Sequence, residues 1–92
     1  MNEILVILQE ECAEVSQVIS KIHRFGIEAQ NPETREYNID TLHKEMGDLL
    51  CMVEICLEKG IFSEEDLLFY KEKKREKLKK WSNIDFLSDD QC

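Results

Sequence analysis

Lys44-Glu45-Met46-Gly47-Asp48-Leu49-Leu50-Cys51-Met52-Val53 is the stretch from which the rest of the chain can be read. Leu42, Leu49 and Cys56 recur every seven residues, and Met46, Leu50, Val53 and Leu57 fill the neighbouring rows, the spacing of a long amphipathic helix. Two acids interrupt that stripe. Glu45 lies one turn from Leu42 and Leu49, and Asp48 one turn from Met52. At i,i+3 on a helix, Glu45 and Asp48 have Cβ atoms only about 5–6 Å apart. Like charges so close, beside apolar neighbours, repel each other and lose hydration, and a bound cation is the simplest compensation. Upstream, Glu11 and Glu14 repeat the arrangement between Leu8, Val15 and Val18. Two facing helices carrying these pairs would aim four carboxylates at one point.

The chain has 92 residues, enough for one domain with a modest core, and it holds one Pro and three Gly. No stretch alternates with period two, so the expected fold is all-α, with one domain over residues 1–92. A formal charge of −8 argues against a partner that is a nucleic-acid polymer, whose phosphates demand a cationic footprint. The charge is unevenly placed: seven of the twelve Lys and Arg residues fall between Lys71 and Lys80. Cys12, Cys51, Cys56 and Cys92 show no C-x-x-C spacing and read as packing or surface residues. With no long apolar run and no signal peptide, no membrane partner and a reducing cytoplasm are expected.

Ile4, Leu5, Leu8, Cys12, Val15, Val18, Ile19 and Ile22 place a first helix over about Asn2–Phe25, with Gly26 as its stop. Residues 26–37 form a polar connection somewhat longer than a bundle needs, in which Asn31-Pro32 can start one helical turn. The second helix is expected from Asn38 or Asp40, either serving as cap, to Gly60. Ser63-Glu64-Glu65-Asp66 opens a third that carries Leu67, Leu68, Tyr70, Leu78 and Trp81. Residues 82–92 form a tail that either packs on a neighbour or stays free. Three helices with wide apolar faces leave more hydrophobic surface than one protomer covers, so a bundle completed by homodimer or homotetramer formation is expected.

Carboxylates without His or Cys partners select hard cations, Mg²⁺ or, in its place, Mn²⁺. Such ions would bridge the acids to a triphosphate and activate water for in-line attack. Here Glu-Glu-Cys-Ala-Glu-Val (10–15), Lys-Ile-His-Arg-Phe-Gly (21–26) and Lys-Glu-Met-Gly-Asp-Leu-Leu (44–50) resemble the MazG-like all-α nucleoside triphosphate pyrophosphohydrolases over residues 1–81. That family is recognised by E-x-x-E on one helix and E-x-x-D on the next. The resemblance implies Mg²⁺-dependent cleavage between the α and β phosphates, giving a nucleoside monophosphate and pyrophosphate. It makes Glu11, Glu14, Glu45 and Asp48 the metal ligands and catalytic acids. The segment 21–26 is similar to that of small phage and bacterial members, one branch of which, the MazZ-like enzymes, acts on dGTP or GTP. The chain is shorter at its N-terminus than many of these relatives.

Around the acids stand candidate substrate contacts. Lys21 follows Glu14 by seven residues, about 10 Å along the same face, and suits a phosphate tail. Arg24 joins it at i+3 or pairs with a loop acid. Asn38 precedes Glu45 by two turns and suits sugar or base. Lys74 and Lys77, with Lys73, are candidates for the β and γ phosphates, against the plainer reading of a solvated helix end, and Trp81 for stacking on a base, against packing as core. Two rivals remain. Carboxylate-bridged di-iron or di-manganese bundles use E-x-x-H, which is absent here. A non-catalytic metal-binding or interaction module would carry the acids as surface decoration.

Overall fold

The computed structural model describes residues 2–86. They form three helices, α1 (Asn2–Phe25), α2 (Asn38–Glu58) and α3 (Glu64–Trp81). Among the described residues there is no strand, only an isolated antiparallel bridge between Gln30 and Tyr37. The chain divides into two compact units, Met1–Ile61 and Phe62–Cys92. Cys92, Leu87 and the end of the tail lie outside the described residues.

In the first unit α1 packs on α2. Val15 and Val18 from α1 and Met52 and Cys56 from α2 form its buried centre, with Cys56 wholly enclosed. Burial of Val15, Val18 and Met52 stabilises the pair by about 1.5–3 kcal/mol each. The stripe read from the sequence is therefore correct in direction but wider than its partner covers. Leu50, expected beside the buried rows, is 57 % exposed, because only part of that arc faces α1.

Both helix ends follow from glycine. Gly26, at φ 101°, donates from its amide to the Ile22 carbonyl and turns the chain out of α1. At the end of α2, Gly60 (φ 75°) donates to Leu57 and Ile61 donates to Cys56, which together form a Schellman closure. Helix α2 begins at Asn38, as expected, but its cap differs from expectation. Tyr37 occupies the cap position without a side-chain bond, and neither Asn38 nor Asp40 caps. Two orphan amides at that end are instead satisfied by the connection: Asn38 N–H donates to Ala29 (2.9 Å) and Ile39 N–H to Ile27 (3.1 Å). Asn38 is thereby drawn inside and is the buried polar residue among those described.

In the second unit Ser63 caps α3 as expected, its Oγ accepting from the Asp66 amide at 3.2 Å. Glu64, Glu65 and Asp66 occupy the first turn and Lys79 and Lys80 the last, so charge opposes the helix dipole at both ends. No residue of α3 is buried. Lys73 lies over the Phe69 ring, Arg75 over Phe86, and Phe69 meets Tyr70 edge-on.

Candidate metal centre and adjoining cavity

The antiparallel run of α1 and α2 follows from two observations. The start of α2 is bonded to the residues just after α1, and the acids in the interior of each helix meet. One carboxylate oxygen from each of Glu11, Glu45 and Asp48 falls within 4.8 Å of the other two. Glu11 and Glu45 are half-buried and Asp48 is exposed. Glu11 Oε2 is buried and has no hydrogen-bond partner. Loss of hydration raises the Glu11 pKa above its ordinary value of 4.5, and the charges of Asp48, Glu45, Glu14 and Glu10 raise it further. An anionic oxygen without a donor, facing two more anions, is what a bound cation relieves. The donor set is all oxygen, so the residues present fit a hard divalent ion such as Mg²⁺ or Mn²⁺. Glu14, one turn along α1, is exposed and stands outside this group of three, close enough to act on Glu11 through its charge.

A second feature lies towards the end of the hairpin where α1 and α2 are joined. A cavity of about 460 Å³ is lined by Lys21 and Phe25 from α1, by Ala29, Gln30, Asn31 and Pro32 from the connection, and by Asn38 from α2. Lys21 and Asn38 thus line the same cavity. Asn38 Nδ2 donates to the Gly26 carbonyl at 3.0 Å, so this residue also holds the connection in place. Arg24, expected beside Lys21 or on a loop acid, has its guanidinium over the Phe25 ring, 5.1 Å from the centroid.

Of the basic helix, Lys77 and Trp81 line an open depression of about 260 Å³ with Lys73, Glu76 and Lys80, while Lys74 is exposed outside it. Trp81 is 82 % exposed, so it is not a core residue. Phe25, Gln30 and Asn31 escaped the sequence reading as site residues. The unusual length of the connection was the signal, but length does not say which side chains a loop turns to one cavity.

The described residues form an all-α protein in which three carboxylates gather on a helical hairpin, an all-oxygen donor set that fits a hard cation better than thiolates or imidazoles would. Residues 1–80 match the MazG nucleotide pyrophosphohydrolase domain, and the chain belongs to that family. Its substrate is accordingly a nucleotide. Comparison with curated proteins and with solved structures returns no match. Among the described residues no helix is long and apolar enough to cross a membrane.

Proposed function

We propose that this protein is a Mg²⁺-dependent nucleoside triphosphate pyrophosphohydrolase. It cleaves between the α and β phosphates to release a nucleoside monophosphate and pyrophosphate, with dGTP and GTP the first substrates to test. The convergence of Glu11, Glu45 and Asp48 on one point, with a buried Glu11 oxygen that nothing satisfies, carries this reading. When bound there, a divalent ion neutralises polyphosphate charge and makes water a better nucleophile.

The three clustered acids would hold the ion, and Glu14 is the acid left to accept the proton of the attacking water. The water oxygen bonds to the α phosphorus, the bond from that phosphorus to the α–β bridging oxygen breaks, and pyrophosphate departs with the electron pair. Lys21 offsets charge on the phosphates. Lys74, Lys77 and Trp81 enter the same assay by single alanine substitution, which raises KM at any position that meets the nucleotide.

Pyrophosphate release measured across the eight common ribo- and deoxyribonucleoside triphosphates, with and without Mg²⁺, tests the proposal. Metal-dependent release from at least one is expected. Release of orthophosphate alone, or none from any substrate, would favour a non-catalytic metal-binding module.

A further inference from the structure

Antiparallel helices are commonly joined by about 2–5 residues, whereas here α1 ends at Phe25 and α2 begins at Asn38. The extra chain is pinned. Asn31 N–H donates to the Glu36 carbonyl and Arg35 N–H to Asn31, both at 2.8 Å, and Gln30 pairs with Tyr37. Arg35 holds a left-handed conformation at φ 66° to close that turn. Asn38 and Ile39 then bond the segment to the head of α2. A pre-formed concave site results, of the size that small-molecule sites take.

Its walls have a consistent chemistry. Phe25 is 65 % exposed and lines the cavity, with the Arg24 guanidinium over its ring, so it offers aromatic surface to a planar partner. The bonds that pin the wall also orient its amides. Asn31 Oδ1 accepts from the Glu33 and Thr34 amides, which leaves the two Nδ2 donors. Gln30 Nε2 donates to the Arg35 carbonyl and Asn38 Nδ2 to Gly26, which leaves Oε1 and Oδ1 as acceptors. An aromatic platform beside fixed donors and acceptors matches the face and edge of a nucleobase. The distance fits as well. Lys21 lies ten residues beyond Glu11, and Asn38 seven before Glu45. At 1.5 Å per residue these are offsets of about 15 and 10 Å, a gap for ribose and phosphates to bridge.

We propose that the cavity between Phe25, the 29–32 segment and Asn38 receives the base of the nucleotide whose phosphates meet the acids, and that Gln30 and Asn31 set base preference. The assignment rests on the nucleotide-hydrolysing reading, yet it can be tested without turnover. Metal-free full-length protein is titrated with the 5′-monophosphates of the common nucleosides and with ribose 5-phosphate, followed by backbone amide NMR.

The monophosphates should shift Phe25, Ala29, Gln30, Asn31 and Asn38 to different extents for different bases, and ribose 5-phosphate should leave Ala29–Asn31 unmoved. Phe25→Leu, at an exposed ring, should weaken binding about tenfold. Asn31→Asp keeps the oxygen that holds the turn and removes both amide donors, so it should reorder the bases rather than weaken all equally. Shifts centred elsewhere, equal shifts from ribose 5-phosphate, or an unchanged base order in Asn31→Asp would overturn the assignment. Pyrophosphate release without base-dependent shifts here sinks only this subsite. Base-dependent shifts here with no release from any triphosphate sink the hydrolase reading and leave the subsite standing.

Discussion

Glu11 is where charge and burial conflict most sharply, since its Oε2 is enclosed without a partner while Glu45 and Asp48 approach the same point. Folding raises its pKa, so the folded chain holds that proton more tightly than the unfolded chain does. The sign follows from proton linkage. The resulting stability is fully present below the ordinary value of 4.5 and is lost as pH rises through the higher folded value. Denaturant unfolding of metal-free protein between about pH 4 and 7 should therefore show wild type losing stability relative to Glu11→Gln as pH rises. A saturating divalent ion acts in the opposite direction, because it binds the deprotonated acid. At about a hundredfold over its dissociation constant, Mg²⁺ should stabilise wild type by about 2.7 kcal/mol and Glu11→Gln by much less. Equal metal-induced shifts in Tm for the two proteins would remove Glu11 from the centre. Spacing alone singles out all four acids, and the structure brings three of them, Glu11, Glu45 and Asp48, together. That Glu11 rather than Glu14 meets Glu45 and Asp48 was not legible, because it depends on which turn of α1 meets α2.

At the scale of elements, α2 is shaped by demands that conflict. Gly47 sits in mid-helix, one residue from Asp48 and two from Glu45, and a Cβ built there meets nothing within 4 Å. Glycine inside a helix costs about 0.5–1 kcal/mol relative to alanine. Gly47→Ala should stabilise the metal-free chain by that amount in thermal unfolding, and a loss of stability would show that something presses on this face in solution. Sequence places the start of α2 at Asn38 but not its cap, because Asn38 and Asp40 both have capping side chains and local preference cannot register carbonyls supplied by residues 27 and 29. Ser63 was read correctly as the cap of α3 because that cap is local, with donor and acceptor three residues apart.

For the whole molecule, Val15, Val18, Met52 and Cys56 are the buried apolar residues among those described, which is a small core. Leu5, Val6, Ile19 and Leu50 of the first unit, and Leu68, Phe69 and Tyr70 of the second, keep broad apolar surfaces in water. We propose that association of identical chains covers part of this surface, as a homodimer or homotetramer. Light scattering after size exclusion should give at least twice the 10.9 kDa chain mass, with Tm rising with protein concentration. A monomeric mass with concentration-independent unfolding would refute this. Leu50→Glu, at an exposed position, should shift the assembly towards monomer while leaving the hairpin folded.

Helix number, helix ends at glycine, the Ser63 cap and the paired acids were determined by the sequence itself, because each rests on interactions between residues three to seven apart along one helix. The meeting of Glu11 with Glu45 and Asp48, the inward turn of Asn38 and the cavity walled by residues 29–32 were decided only by tertiary structure. Those features depend on the rotation of α1 against α2 and on hydrogen bonds that span the connection, and neither is encoded in the periodicity of a single helix.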